Sequence, residues 1–390
     1  MNTVLVRREK TCCVAYNRET RKWRICSLAE GEDLSARPDT QVIDYSSTPS
    51  VREVRFGAPI VLFLDITSEC QCKCWYCYKY PGGARHDELT AEEIRRLVRR
   101  FAALGGVELR LAGGEPTLHP DLIDFLELGD TLRLRTVLVT NGLISPSLLE
   151  LLARTPVTVY YISIQGDEPT NDSIRGKGSY RRCVESAGYL VSHGAAVRLS
   201  MVFHKQNQHC VTAVADVAAR IGANVAFNPL RPLGRATPAM MLSPEEHRRL
   251  VFEVVGLRRR YPGMRIDTPW DYLASPPGPL QHLPYKRLGC GDTSISVTPE
   301  GNCFSCGQLS GDSRFILGNV RGGDLASIWL GARETCPLAN AVLHRQCRSC
   351  PYLERSACFG GCAATALSVS GGLDAGDPYC FVKLVGAEER

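Results

Sequence analysis

No stretch of this sequence comes near the roughly 20 consecutive apolar residues that span a bilayer, which argues against an integral membrane protein. The first residues, MNTVLVRREK, run from a few apolar side chains straight into charge. Without an apolar signal core the chain is expected to be cytoplasmic. Low-complexity tracts and short-period repeats are missing too, which excludes a solenoid. Charge of one sign is scarce: the formal net charge is +5 over 390 residues. In Glu92-Glu93-Ile94-Arg95-Arg96-Leu97-Val98-Arg99-Arg100 the basic residues alternate with apolar ones, the pattern of a solvated amphipathic helix rather than of a nucleic-acid surface. Neither nucleic acid nor membrane is an expected partner.

Cysteine, by contrast, is abundant. Of 18 cysteines, four lie between Cys70 and Cys77 and nine between Cys290 and Cys380. In a reducing compartment, clustered cysteines are more often metal ligands or catalytic groups than disulfides, so two dense zones imply at least two metal sites. Cys70, Cys74 and Cys77 form C-x3-C-x2-C directly after the apolar run Ile60-Val61-Leu62-Phe63-Leu64. A cuboidal [4Fe–4S] cluster normally takes four thiolates, so three leave one iron open to substrate or cofactor. Structural zinc is the competing reading. Zinc sites usually bring paired C-x2-C knuckles or histidines, and the nearest histidine here is His86. Cys72 falls off the three-ligand register and is read as a bystander; Cys12, Cys13, Cys26, Cys183 and Cys210 are read as small buried hydrophobes.

From about residue 58, short apolar or β-branched runs alternate with helix-patterned segments, which marks βα units around a parallel sheet. The expected strands are 60–66, 107–112, 134–140, 157–164, 196–203 and 223–228, either an open doubly wound sheet or a partial barrel. Functional groups are expected at the C-terminal strand ends, and four polar or glycine-rich motifs fall there in order. The cysteine loop follows the first strand, Gly113-Gly114-Glu115-Pro116 the second, Thr140-Asn141-Gly142 the third and Ser163-Ile164-Gln165-Gly166 the fourth. Tyr160, His204 and Arg231 also fall near strand ends but are assigned no role. The division is 1–57, a β-rich extension with a hairpin around Asn17-Arg18-Glu19-Thr20; 58–236, the βα core; 237–289, a helical bridge with the Pro-rich stretch 275–279; and 290–390, the cysteine-rich end.

These residues resemble the radical S-adenosylmethionine (SAM) enzymes over roughly 58–380, and the C-terminal third resembles their SPASM domain. The resemblance implies an α/β fold, a partial (β/α)6 barrel with an auxiliary-cluster domain. It implies that Cys70, Cys74 and Cys77 hold a [4Fe–4S] cluster whose fourth iron binds the amino and carboxylate groups of SAM, with Tyr76 beside the adenine. Gly113, Gly114, Glu115 and Pro116 match the GGEP motif, in which glycines allow close backbone approach and the Glu115 region accepts from the methionine ammonium. Ser163 and Arg175 match the pair on the ribose and carboxylate of SAM. Gln165 stands where many relatives have Asp, and Asn141 is a further contact or a turn residue.

The SPASM pattern is filled by Cys290, Gly301 and Cys306, then Cys347, Cys350, Cys358, Cys362 and Cys380, with a longer interval between Cys350 and Cys358 than relatives commonly carry. By resemblance, Cys347, Cys350, Cys358 and Cys380 hold one auxiliary cluster, and Cys290, Cys306 and Cys362 part of a second. Cys303, with Cys336 behind it, is the candidate fourth ligand; otherwise that cluster keeps an open iron. A zinc ribbon at Cys347-x2-Cys350 stays open as an alternative. The expected activity is reductive cleavage of SAM to a 5′-deoxyadenosyl radical that abstracts hydrogen from a ribosomally made peptide or protein, with electrons from a reductant such as flavodoxin or ferredoxin. The alternatives are a small-molecule radical enzyme acting on a tetrapyrrole, sugar or nucleoside, and a non-catalytic iron–sulfur or zinc scaffold.

Overall fold

The computed structural model describes residues 2–10, 12–47, 56–79, 87–270, 293–335, 337–340, 344–347, 350, 358 and 360–380. The Pro-rich stretch 275–279, the loop 351–357, Cys290 and Cys336 lie outside these residues. The chain begins with a four-stranded sheet, β1 Val4–Arg8, β2 Cys13–Asn17, β3 Lys22–Cys26 and β4 Thr40–Asp44, in the order β3-β2-β1-β4, with helix α1 Leu28–Ser35 between β3 and β4. The expected hairpin joins β2 to β3, its turn held by Asn17 Oδ1, which accepts from Glu19 N and Thr20 N at 3.0 and 2.8 Å.

Six parallel strands follow: β5 Val61–Asp65, β6 Glu108–Ala112, β7 Arg135–Thr140, β8 Val159–Ser163, β9 Val197–Phe203 and β10 Asn224–Pro229. Between them run α2 Ala91–Ala103, α3 Leu122–Thr131, α4 Pro146–Arg154, α5 Glu168–Arg175 with α6 Ser179–Ser192, and α7 Val211–Ile221; α8 Pro244–Arg260 and β11 Ile266–Asp267 come next. Each strand pairs with its predecessor in sequence. Doubly wound folds reverse direction at a switch point; β5 to β10 advance in one direction without one, so the sheet curls as a partial barrel with the helices outside. The caps read from sequence start their helices. Thr90 accepts from Glu93 N while Glu93 reaches back to Thr90 N, and Ser145 precedes Pro146 in the first turn of α4.

Leu62, Leu64, Leu109, Leu111, Leu138, Ile162, Leu199 and Met201 pack against the helices. The opposite face mixes charged side chains with apolar ones such as Phe63, Val137 and Val139. Glu108 accepts from Arg135 Nε at 2.8 Å and pairs with Arg110, and Arg198 meets Asp267 at 2.9 Å. Parallel strands covered on both faces read as unbroken apolar runs. Here charged residues interrupt the runs of β6 and β9 on the face turned away from the helices.

The cysteine-rich end is not a separate body. β12 Ser294–Val297 lies parallel beside β5, and β13 Asn302–Phe304 and β14 Ile316–Asn319 continue the sheet antiparallel, giving ten strands in the order β11-β10-β9-β8-β7-β6-β5-β12-β13-β14. The N-terminal sheet covers the opposite pole, where the barrel strands begin. Tyr16 Oη donates to Arg133 O at 2.9 Å, Arg21 reaches Asp130 at 2.6 Å, and the buried Arg7 donates to Ala58 O and Gly105 O at 2.7 and 3.2 Å. No helix among the described residues is long and apolar enough to cross a membrane.

Candidate active site at the strand ends

After β5 the chain passes Thr67, Ser68 and Glu69 into the cysteine loop, where Cys70, Cys74 and Cys77 are partly exposed and Cys72 is buried. The loop rests on the turn after β6: Gly114 N donates to Thr67 O and Glu115 N to Glu69 O, both at 2.7 Å. A Cβ on Gly113 would stand 2.4 Å from Thr67 O, and one on Gly114 2.2 Å from Glu69 O. Glycine is needed at both positions for the loop backbone to seat, a reason additional to the ligand approach read from sequence. On its far side Gly234, at φ 64°, has room for no Cβ against Tyr78 Cα, and Arg235 N donates to Cys77 O at 3.2 Å.

Glu115 is enclosed. Its Oε1 accepts from Thr117 Oγ1 at 2.7 Å and Thr140 Oγ1 at 2.6 Å, and its Oε2 from Asn141 N at 2.6 Å. The carboxylate thus ties the end of β6 to the end of β7 rather than lying open to an ammonium. Burial pushes its pKa up against those hydrogen bonds. Pro116 opens the 3-10 turn Pro116–Leu118, which Glu115 caps.

Arg175, the last residue of α5, is 6% exposed and donates to Ser163 O and Asn141 O, so it joins the ends of β7 and β8. Burial opposes its charge, but Cys183, Tyr76, Cys72 and Cys74 outweigh burial and raise its pKa. Asn141 holds a turn, its Oδ1 accepting from Leu143 N at 2.8 Å, while Nδ2 faces Gln71 Oε1 at 3.1 Å and Cys72 Sγ at 3.6 Å in the loop. Gln165 is buried within the sheet, its N–H on Asn171 Oδ1 at 2.9 Å and its Oε1 accepting from Val202 N at 3.3 Å. Tyr76 stands with Trp75 around the buried His204, ring centroids 6.0 and 4.7 Å from the imidazole. Tyr160 points outward and donates to Leu152 O at 2.7 Å, and Arg231 donates to Thr365 Oγ1 at 2.7 Å.

Soft thiols at a strand end beside a buried cation fit an iron–sulfur cluster better than a hard cation. Among the described residues no three Cys, His, Asp or Glu side chains converge as ligands of a single ion do; the thiolates of a cuboidal cluster sit on separate irons and stand wider apart. A cavity of about 280 Å³ lies between the loop and the added strands, lined by Asp65, Ser68, Lys79, Gly114, Thr298 and Ser310. Lys79 Nζ meets Asp65 there at 2.5 Å. Sequence reading passed over that pair, although the two residues flank the loop.

In the C-terminal third, Cys358 lies near Cys350 and Cys380, its sulfur accepting from Gly360 and Gly361 N–H, and Cys350 N donates to Cys347 O at 3.2 Å. Cys306 and Cys362 share an apolar cluster with Phe304, Leu309 and Phe315. Cys303 does not join them. Strand alternation turns it into the main core, fully buried, and burial pushes its thiol up to about 12, so this placement lends its expected role as fourth ligand no support. Asp377, which carries no motif signal, organises the region: Oδ2 accepts from Cys362 N at 2.7 Å and Oδ1 from Tyr379 N at 2.9 Å.

Residues 64–218 match the radical SAM superfamily, and residues 289–351 match the iron-sulfur cluster-binding domain SPASM. The chain is similar to the PqqA peptide cyclase of Rhizobium meliloti, 28% identical over 340 residues that make up 84% of this chain and 88% of that one. It is also similar to mycofactocin maturase MftC of Mycolicibacterium smegmatis, 27% identical over 334 residues, 83% of each chain. Among solved structures, Streptococcus suis SuiB bound to S-adenosylmethionine shares the fold at a TM-score of 0.73 and 17% identity, covering 97% of this chain and 99% of that one. The anSMEcpe structure with bound AdoMet and Cp18Cys peptide does so at 0.66 and 18%, covering 85% and 99%. The chain belongs to the radical SAM superfamily: it is an enzyme whose barrel binds a [4Fe–4S] cluster and SAM and whose SPASM domain binds auxiliary iron–sulfur clusters.

Proposed function

We propose that this radical SAM enzyme matures a ribosomally made peptide or protein, by crosslinking it or oxidising a side chain. The observation that carries the reading is the similarity, over 84% of this chain and 88% of the relative, to a protein named for cyclising a peptide. The similarity spans barrel and cysteine-rich end together rather than the barrel alone. The charged side chains on the inner face, Arg110, Arg135 and Arg198 among them, are consistent with it, because a peptide brings amides that need partners once they leave water.

When bound, the cluster and SAM supply a 5′-deoxyadenosyl radical able to take hydrogen from an unactivated C–H bond. In this reading Cys70, Cys74 and Cys77 hold the cluster and Gly113 and Gly114 seat their loop. Arg175 commits two of its five N–H donors to Ser163 O and Asn141 O and offers the others to the SAM carboxylate. Gln165 fixes β8 against β9, and Tyr76 borders the adenine. Cys347, Cys350, Cys358 and Cys380 hold one auxiliary cluster, and Cys290, Cys306 and Cys362 three corners of another. The 1–57 extension braces the barrel floor, 58–236 forms the core, 237–289 bridges, and 290–390 carries the auxiliary clusters. A cytoplasmic flavodoxin or ferredoxin delivers the electron.

Anaerobically reconstituted protein should carry about 12 irons per chain and release 5′-deoxyadenosine with dithionite and SAM. Co-expression with a short open reading frame adjoining its gene should change the mass of the encoded peptide. An unchanged peptide together with turnover of a tetrapyrrole or sugar would overturn the peptide reading.

A further inference from the structure

Cys72 is 5% exposed, yet it differs from the other buried thiols of the barrel. Cys183 and Cys210 pack into the main apolar core, whereas among the described residues Cys72 belongs to no apolar cluster. Its neighbours are polar. Cys72 N lies 3.4 Å from Cys70 Sγ, and Asn141 Nδ2 approaches Cys72 Sγ at 3.6 Å. Cys70 and Cys74 lie within reach of its sulfur, and Arg175, which donates to Asn141 O, adds a positive charge nearby. Four thiols therefore gather in a loop whose motif needs three. The fourth faces Asn141 and Arg175, the side on which the SAM carboxylate is read to bind.

We propose that Cys72 supplies a fourth thiolate to the loop cluster while SAM is absent and yields that corner when SAM binds. The inference rests on Cys70, Cys74 and Cys77 being the other three ligands. A cuboidal cluster has one iron for each of four thiolates, and an iron without a protein ligand is the one lost on mild oxidation. The exchange moves no electron. The bond from iron to Cys72 sulfur breaks as bonds to the amino nitrogen and carboxylate oxygen of SAM form. The amino group gives its proton to solvent, and the released thiolate stays beside Asn141.

The test compares reconstituted full-length wild type with Cys72→Ala and with the near-isosteric Cys72→Ser, which keeps the loop's shape if the alanine variant folds poorly. Each is oxidised with limiting ferricyanide without SAM and read by low-temperature EPR for a [3Fe–4S] signal; SAM affinity is then measured by the change it causes in the reduced-cluster spectrum. The auxiliary clusters contribute equally to all three proteins, so the difference reports the loop. The variants should show a several-fold larger [3Fe–4S] signal than wild type and bind SAM about tenfold more tightly, since nothing has to be displaced. Equal signals and equal SAM affinity, with the loop cluster present in all three proteins, overturn the role of Cys72 and leave the three-ligand assignment standing. A wild type that assembles no SAM-responsive cluster overturns both.

Discussion

At positions 114 and 115 a missing side chain and a fully enclosed one serve the same end. Gly114 leaves space for Glu69 O, and Glu115 binds the neighbouring strand end, so the turn that carries both holds the loop in place. Gly114→Ala should therefore fold but lose the loop cluster. Iron should fall by about four atoms per chain with the far-ultraviolet circular dichroism unchanged and 5′-deoxyadenosine release abolished. His247 offers a pH test. It is 1% exposed among Phe203, Trp270 and Tyr379, and burial lowers its pKa from 6.5 to about 4. The unfolded chain takes up that proton first, so the stability it confers is complete above pH 6.5 and is lost as pH falls toward 4, by up to about 3 kcal/mol. Melting temperatures between pH 7 and 5 should fall more steeply for wild type than for His247→Phe.

Among the elements, the loop around Asp377 is the most exposed to a single change, because one carboxylate caps the backbone beside two cysteine positions. Asp377→Ala should lose auxiliary-cluster iron while keeping the loop cluster and SAM binding, which Mössbauer spectroscopy of enriched protein would resolve. The barrel strands were legible: the run expected at 134–140 forms as Arg135–Thr140 and that at 196–203 as Val197–Phe203, because apolar alternation and helix caps are local signals. The pairing of β12 with β5 was not, since nothing in Ser294–Val297 names a partner more than 200 residues away. Likewise the thiol pattern announced a cluster, but whether Cys303 faced Cys306 or the core depended on the register of β13, which its own three residues do not set. The contacts of Glu115 were not legible, since they come from Thr140 and Asn141 at the end of another strand.

On the scale of the whole molecule, the two poles of the barrel are divided between support and chemistry. The N-terminal sheet closes the floor with Leu5, Tyr16, Phe56, Ile60, Val61 and Val107, and Arg7 locks it, wholly buried and paired with Glu9 at 2.6 Å. Arg7→Ala would leave that carboxylate buried without its cation and is expected to cost about 3–5 kcal/mol, read as a lower denaturation midpoint. Chemistry gathers at the opposite pole, where SAM-binding and auxiliary segments share one sheet.

The strand beneath the cysteine loop has β6 on one edge and β12 on the other, well inside a ten-stranded ladder. Its amides should be among the last to exchange with deuterated solvent, because interior strands open only when most of the structure does. A chain whose loop cluster has been destroyed by oxygen would then keep the frame on which the loop is hung. Cluster repair becomes a matter of refilling a standing site, with no need to fold the enzyme again.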